Sequence, residues 1–177
     1  GADVEEPTVD WPYWQGEADI TPPIGDYTLD GTEVGILYID GDAYIDGNNF
    51  SFQGTVVATG DIKIGSNSPC NDLFLESDAA VTVLVAGNDI TIDVAAAPST
   101  ITAGILSGNN ITIDQGPNLT LVGPIVFSNK LTIDAGTNMA LNTGGYSTIT
   151  DGFIGGQMSG EEGGVGIYGL TEFREIH

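Results

Sequence analysis

Three observations predict an all-β chain wound as a single-stranded right-handed parallel β-helix, a β-solenoid with coils of about 20 residues and capped ends. The first is a recurring phrase: "AGNDITIDVA" from Ala86, "SGNNITIDQG" from Ser107 and "FSNKLTIDAG" from Phe127. The second is its spacing. The central isoleucines of this phrase and of its two earlier relatives, "GDAYID" and "GDIKIG", are Ile45, Ile64, Ile92, Ile113 and Ile133, at intervals of 19, 28, 21 and 20. The third is the alternation of apolar and polar residues through Ile111, Thr112 and Ile113, the period of two of a strand with one buried face. A β-sandwich also has short strands, about every 8–12 residues, but does not require whole phrases to recur. A solenoid does, because one coil cannot bury its inner face alone. Coils stacked about 4.8 Å apart pair their backbones and build one apolar column from equivalent residues.

Taken in order, residues 1–24 form a Pro-rich lead-in or cap. Its aromatics in "DWPYW", Trp11, Tyr13 and Trp14, alternate poorly for a strand and are expected to drape over a coil or close the column. Residues 25–140 form the coils, beginning with a degenerate copy, "GDYTLDG", at 25–31. A second apolar stretch precedes each phrase, at 35–39, 54–58, 81–86, 103–106 and 123–127, so each coil holds two or three short strands. The long interval contains "SNSPCND", Ser66 to Asp72, which reads as an inserted loop. Ile92, Ile113 and Ile133 are expected to form one inward ladder, with Ile90, Ile111 and Leu131 beside it. Residues 141–177 form a last coil, a Gly-rich loop at 155–166 and a closing segment. No segment up to the closing turn has the apolar period of an amphipathic helix.

The 177 residues carry 25 acidic and 3 basic side chains, a formal net charge of −22. Such a surface repels phosphate backbones and anionic lipid, which argues against nucleic-acid binding. Cys70 is the single cysteine, so no intrachain disulfide forms. No apolar run has the length of a membrane-spanning helix, and no signal peptide is visible. The Gly1-Ala2-Asp3 opening is expected to follow an upstream segment that was removed.

Two outward files are the candidate sites. Thr91, Thr112 and Thr132 form a hydroxyl file, with Lys63 and Tyr44 at the matching places on earlier coils; threonine favours strands and stacks on itself, and a regular threonine array also suits an ice-binding face. Asp93, Asp114 and Asp134, with Asp46 earlier, form a carboxylate file. Close like charges disfavour ionisation unless something neutralises them; calcium is one neutraliser, and capping of turn N–H groups is the favoured structural account. Asn88, Asn109 and Asn129 form a third file, expected to be architectural through stacked amides and left-handed turns. Catalysis has little to draw on: the cations are Lys63, Lys130 and Arg174, and His177 is the last residue. No nucleophile, zinc or phosphate-loop motif occurs, and the chain is expected not to be an enzyme. The sequons at Asn49, Asn110 and Asn118 are attributed to chance.

Two families share phrases with the chain. "GTVVATGDIKIG" (54–65) resembles bactofilins, polymer-forming bacterial β-helices. "EEPTVDWPYW" (5–14), "GILYIDGDAYIDGN" (35–48) and "TEFREI" (171–176) together resemble the β-solenoid region of PilX-like type IV pilus-associated proteins, the minor pilins. That second resemblance implies an extracellular interaction module near a filament tip, with other pilins or a surface carbohydrate as partners. It also implies membrane attachment through an N-terminal apolar helix that precedes this segment. The expected contact regions are Trp11, Tyr13 and Trp14, the Cys70 loop, the 155–166 loop and the threonine file.

Overall fold

The computed structural model describes residues 8–77, 82–95, 97–114, 118–134, 140–142, 153–154 and 167–168. The chain enters through β1 (Thr8–Val9) and a short helix α1 (Trp11–Glu17). The first coil holds β2 (Tyr27–Leu29) and β3 (Val34–Ile39), the second β4 (Ala43–Ile45) and β5 (Ser51–Ala58). The third holds β6 (Ile62–Ile64), β7 (Phe74–Glu76) and β8 (Thr82–Ala86). The fourth holds β9 (Ile90–Asp93), β10 (Ser99–Thr102) and β11 (Gly104–Ser107). The fifth holds β12 (Asn110–Asp114), β13 (Leu119–Val122) and β14 (Ile125–Phe127). β15 (Lys130–Asp134), β16 (Ala140–Asn142), β17 (Phe153–Ile154) and β18 (Ile167–Tyr168) follow.

The result is the β-solenoid that the phrase predicts. One six-stranded parallel sheet runs β15-β12-β9-β6-β4-β2 and forms what we term face I. A ten-stranded parallel sheet makes the other two faces: β7, β10, β13, β16 and the first half of β5 form face II, and β3, the second half of β5, β8, β11, β14 and β18 form face III. The bend between faces II and III needs positive φ. Gly54 (149°) and Gly123 (140°) supply it without a Cβ to strain, and a Cβ at Gly54 would collide with the Gly35 carbonyl. Ala103 makes the same bend at 109°, a conformation that disfavours any residue with a Cβ.

The inward files keep their register from coil to coil, with one shift between Gly104 and Ile105 against β8. Ile45, Ile64, Ile92, Ile113 and Ile133 pair in succession along face I, and Ala43, Ile62, Ile90, Ile111 and Leu131 form the neighbouring inward file. Face III adds Leu37, Val56, Leu84, Ile105 and Ile125, and face II adds Phe52, Leu75, Ile101 and Leu121. These files meet inside as one apolar core, in which Ile45, Ile62, Ile92 and Ile113 have no exposed surface. Each such side chain contributes roughly 1.5–3 kcal/mol by leaving water. The N-terminal end of the column is closed by residues 19–33. Ile20 and Tyr27 pack on the core, and the buried Glu33 carboxylate accepts from Tyr27 Oη and from the amides of Asp30 and Gly31.

Three expectations are corrected. A helix does form, over Trp11–Glu17: Asp10 caps it by accepting from Tyr13 N at 3.1 Å, and Pro12 sits in the first turn, where no N–H is lost. The extra residues of the long interval are not one loop. Ten residues separate Ile64 from Phe74 where six separate Ile45 from Ser51, and eight separate Glu76 from Leu84 where three separate Gln53 from Val56. The excess is therefore shared between two corners of the third coil. Finally, the predicted loop is exposed at 66–69, but Cys70 itself is not. It is fully buried, bridges to Val94, and its thiol donates to the Ile45 carbonyl at 3.4 Å. The Gly-rich loop at 155–166 and the closing segment with Arg174 and His177 lie outside the described residues.

Candidate interaction face

Face I presents three outward files, because alternate residues of its strands point away from the core. The central file pairs Thr28, Tyr44, Lys63, Thr91, Thr112 and Thr132 in register, all half-buried or more exposed. The predicted threonine file is therefore real as a geometric object, three coils high above Lys63.

On one side, at the start of each phrase, lies a file that the sequence reading did not single out: Asp26, Asp42, Asp61, Asp89, Asn110 and Lys130. From Asp26 to Asn110 its members are tied coil to coil by one repeated bond. The amide of Asp42 donates to Asp26 Oδ1 at 3.2 Å, that of Asp61 to Asp42 Oδ1 at 2.9 Å, that of Asp89 to Asp61 Oδ1 at 3.2 Å, and that of Asn110 to Asp89 Oδ1 at 3.1 Å. Asp89 Oδ1 also accepts from Asn109 Nδ2 and Asn110 Nδ2. The signal was present as "GD" at 25, 41 and 60 and "ND" at 88, but the reading stopped at the aspartate that ends each phrase.

Lys63 is locked between two of these carboxylates, with Nζ 2.9 Å from Asp42 Oδ2 and 3.0 Å from Asp61 Oδ2, beside the Tyr44 ring at 5.3 Å. The hydrogen bonds to Asp42 and then Asp61 hold its ammonium well above the ordinary lysine range. Burial pushes the Asp42 carboxyl up, but the Asp61 amide and the Lys63 ammonium outweigh it and leave the group below the usual carboxylate range. A lysine so held carries its proton firmly and is a poor base.

On the other side lies the predicted carboxylate file. Asp114 pairs with Asp93 below and with Asp134 above; of Asp134 the strand position is described, not the side chain. Burial first, and the neighbouring Asp114 second, push the Asp93 carboxyl up. Its Oδ1 is buried without a hydrogen-bond partner, so this oxygen does not perform the expected turn capping. Capping is found at Asp46, which accepts from Ser66 Oγ, from Asn67 N at 3.2 Å and from Asn67 Nδ2 at 2.7 Å on the next coil. Among the described residues no group of three or more His, Cys, Asp or Glu side chains converges on a point that would hold a metal ion.

The asparagine file is corrected in detail. Asn88, Asn109 and Asn129 are joined by backbone bonds, while their amides reach sideways: Asn109 to Asp89 and Asn129 to Asn110 Oδ1 at 2.9 Å. None of the three adopts positive φ. The aromatics lie elsewhere, on face III. Trp14 is 4% exposed, meets Tyr13 edge-on at 5.1 Å, and covers an outward apolar file rather than offering its ring to a ligand. Trp11 and Tyr13 are half-buried in the same layer. Comparison with protein-family models, with curated proteins and with solved structures found no match.

Proposed function

We propose that this chain is a non-catalytic interaction module held outside the cell, the ectodomain of a type IV pilus-associated minor pilin or adhesin at the filament tip, with face I as its contact face. The observation that supports this reading is the registered Thr91–Thr112–Thr132 file flanked by the Asp93–Asp114 file on a rigid stacked sheet. Hydroxyls and carboxylates at fixed spacing suit hydrogen bonding to sugar hydroxyls or to another subunit. The apolar face III is already occupied by the chain's own helix, which leaves the polar face for recognition. Lys63, neutralised between Asp42 and Asp61, supports a binding role over a catalytic one. The net charge disfavours nucleic acid as partner, and membrane attachment would pass through an upstream apolar helix.

Gold-labelled antibody against this chain, applied to intact cells that carry its gene, tests the reading. Label along or at the ends of pili is expected; label that never touches a filament overturns it. The threonine register also supports a second reading, ice binding. That reading requires thermal hysteresis in the unaltered protein and its loss in Thr112→Tyr, and a solution without hysteresis ends it.

A further inference from the structure

In a solenoid each coil touches only its neighbours, so a disturbance at one end dies out along the column. This chain has a segment that breaks that rule. Asp19 and Ile20 are fastened to the first coil: their amides donate to the Ile36 carbonyl at 2.8 and 3.1 Å, and Ile20 O accepts from Tyr38 N at 2.9 Å. From there α1 runs back along the column axis. Trp11, at its far end, lies over Gly87 in the third coil, with Cζ2 3.1 Å from the place a Cβ would take. A helix of seven residues is about 10 Å long, the height of two coil steps. Beyond it, β1 pairs antiparallel with β17, Val9 opposite Phe153, which falls between the coil strands β16 and β18, and β18 pairs with β14 of the fifth coil.

Beneath this segment lies the outward file of face III: Tyr38, Val57, Val85, Leu106 and Val126, one from each of five coils and none more than 7% exposed. Val9, Trp11, Tyr13, Trp14 and Ala18 pack against it. The Trp14 indole N–H is buried without an acceptor. The layer is thus placed by the apolar area it covers rather than by a bond at that atom.

We infer that residues 8–20 are a strap that couples the first coil to the last, so that the two ends of the column open together. The inference is independent of the contact proposed for face I. Hydrogen exchange reads it, with the Tyr38 amide, bonded to Ile20, reporting where the strap is fastened to the first coil, Val126 the fifth coil and Leu84 the middle. Trp14→Ala is expected to speed exchange at Tyr38 and at Val126 alike, by roughly tenfold, and less at Leu84. Faster exchange at Tyr38 alone overturns the strap, and so does a uniform rise that includes Leu84, because that reports loss of the whole fold. A double variant, Val9→Cys with Phe153→Cys, keeps the test decisive if Trp14→Ala does not fold. Oxidation of that pair is expected to slow exchange at both Tyr38 and Val126 relative to the reduced form; identical rates in the two forms overturn the inference.

Discussion

The Asp42–Lys63–Asp61 bridge links two neighbouring coils through one ammonium, and its pH dependence follows from the two shifts. Lys63 is raised in the folded chain, so its contribution is full below its unfolded value, about 10.4, and is lost as pH rises through the higher folded value. Asp42 is lowered, so its contribution is present above about 3.9 and is lost as pH falls through the folded value. Lys63→Met is therefore expected to lower stability by about 1 kcal/mol near neutrality, the ammonium being one-third exposed, with the deficit shrinking in acid as Asp42 protonates. Urea unfolding at pH 7 and at about pH 2 measures both. Asp93 has the opposite sign from Asp42. Its raised folded value means that protonation favours the fold: the contribution is full below about 3.9 and is lost as pH rises through the folded value. Asp93→Asn should accordingly stabilise the protein at pH 7 by roughly 0.2–1 kcal/mol, because it removes a charge that burial first and the facing Asp114 second both disfavour. A melting temperature lower than that of the unaltered chain refutes this. At the bend, Ala103→Gly should raise stability by about 1 kcal/mol, because the gain at a positive φ exceeds the entropy that glycine brings to the unfolded chain.

Among elements, the face I strands were legible because every third or fourth signal in them agrees: a turn pair, an apolar–polar–apolar triplet and an aspartate, repeated at one interval. The inward files follow from that period alone. Ile113 has no exposed surface, whereas Ile133 is only partly buried above it, so Ile113→Ala should lower stability by about 2–5 kcal/mol and Ile133→Ala by distinctly less. Calorimetry that finds equal losses would contradict the burial difference. The helix was not legible for a physical reason. "WPYWQGE" contains a proline and a glycine and has no 3.6-residue stripe; it is helical because Asp10 caps it and Trp14 packs on face III. The division of the third coil's extra residues was hidden too, since corner residues join no file and leave no period to count. The carboxylate ladder at the phrase starts was visible in principle. Its "GD" pairs read as turns, and what the turn formula omits is the neighbour one coil away that completes the bond.

At the scale of the molecule, charge and connectivity dominate. A net charge of −22 on 177 residues repels itself, and screening falls from a range of about 10 Å at 0.1 M salt to about 3 Å at 1 M. The melting temperature is expected to rise between those concentrations of sodium chloride; a flat or falling trend would mean that the bridges at Lys63 outweigh the general repulsion. The ladder of Asp26, Asp42, Asp61 and Asp89 also has a direction, since every carboxylate accepts from the amide of the coil that follows it in the chain. A polypeptide emerging from its N-terminus therefore finishes each of these turns with unfilled anionic oxygens, which water solvates well, beside the amides of Tyr27, Ala43 and Ile62, which donate to the carbonyls of Asp42, Asp61 and Asp89 on the coil that follows. Along this corner, the incomplete product at every stage of synthesis is both a landing site for the next turn and a hydrated, mutually repelling end.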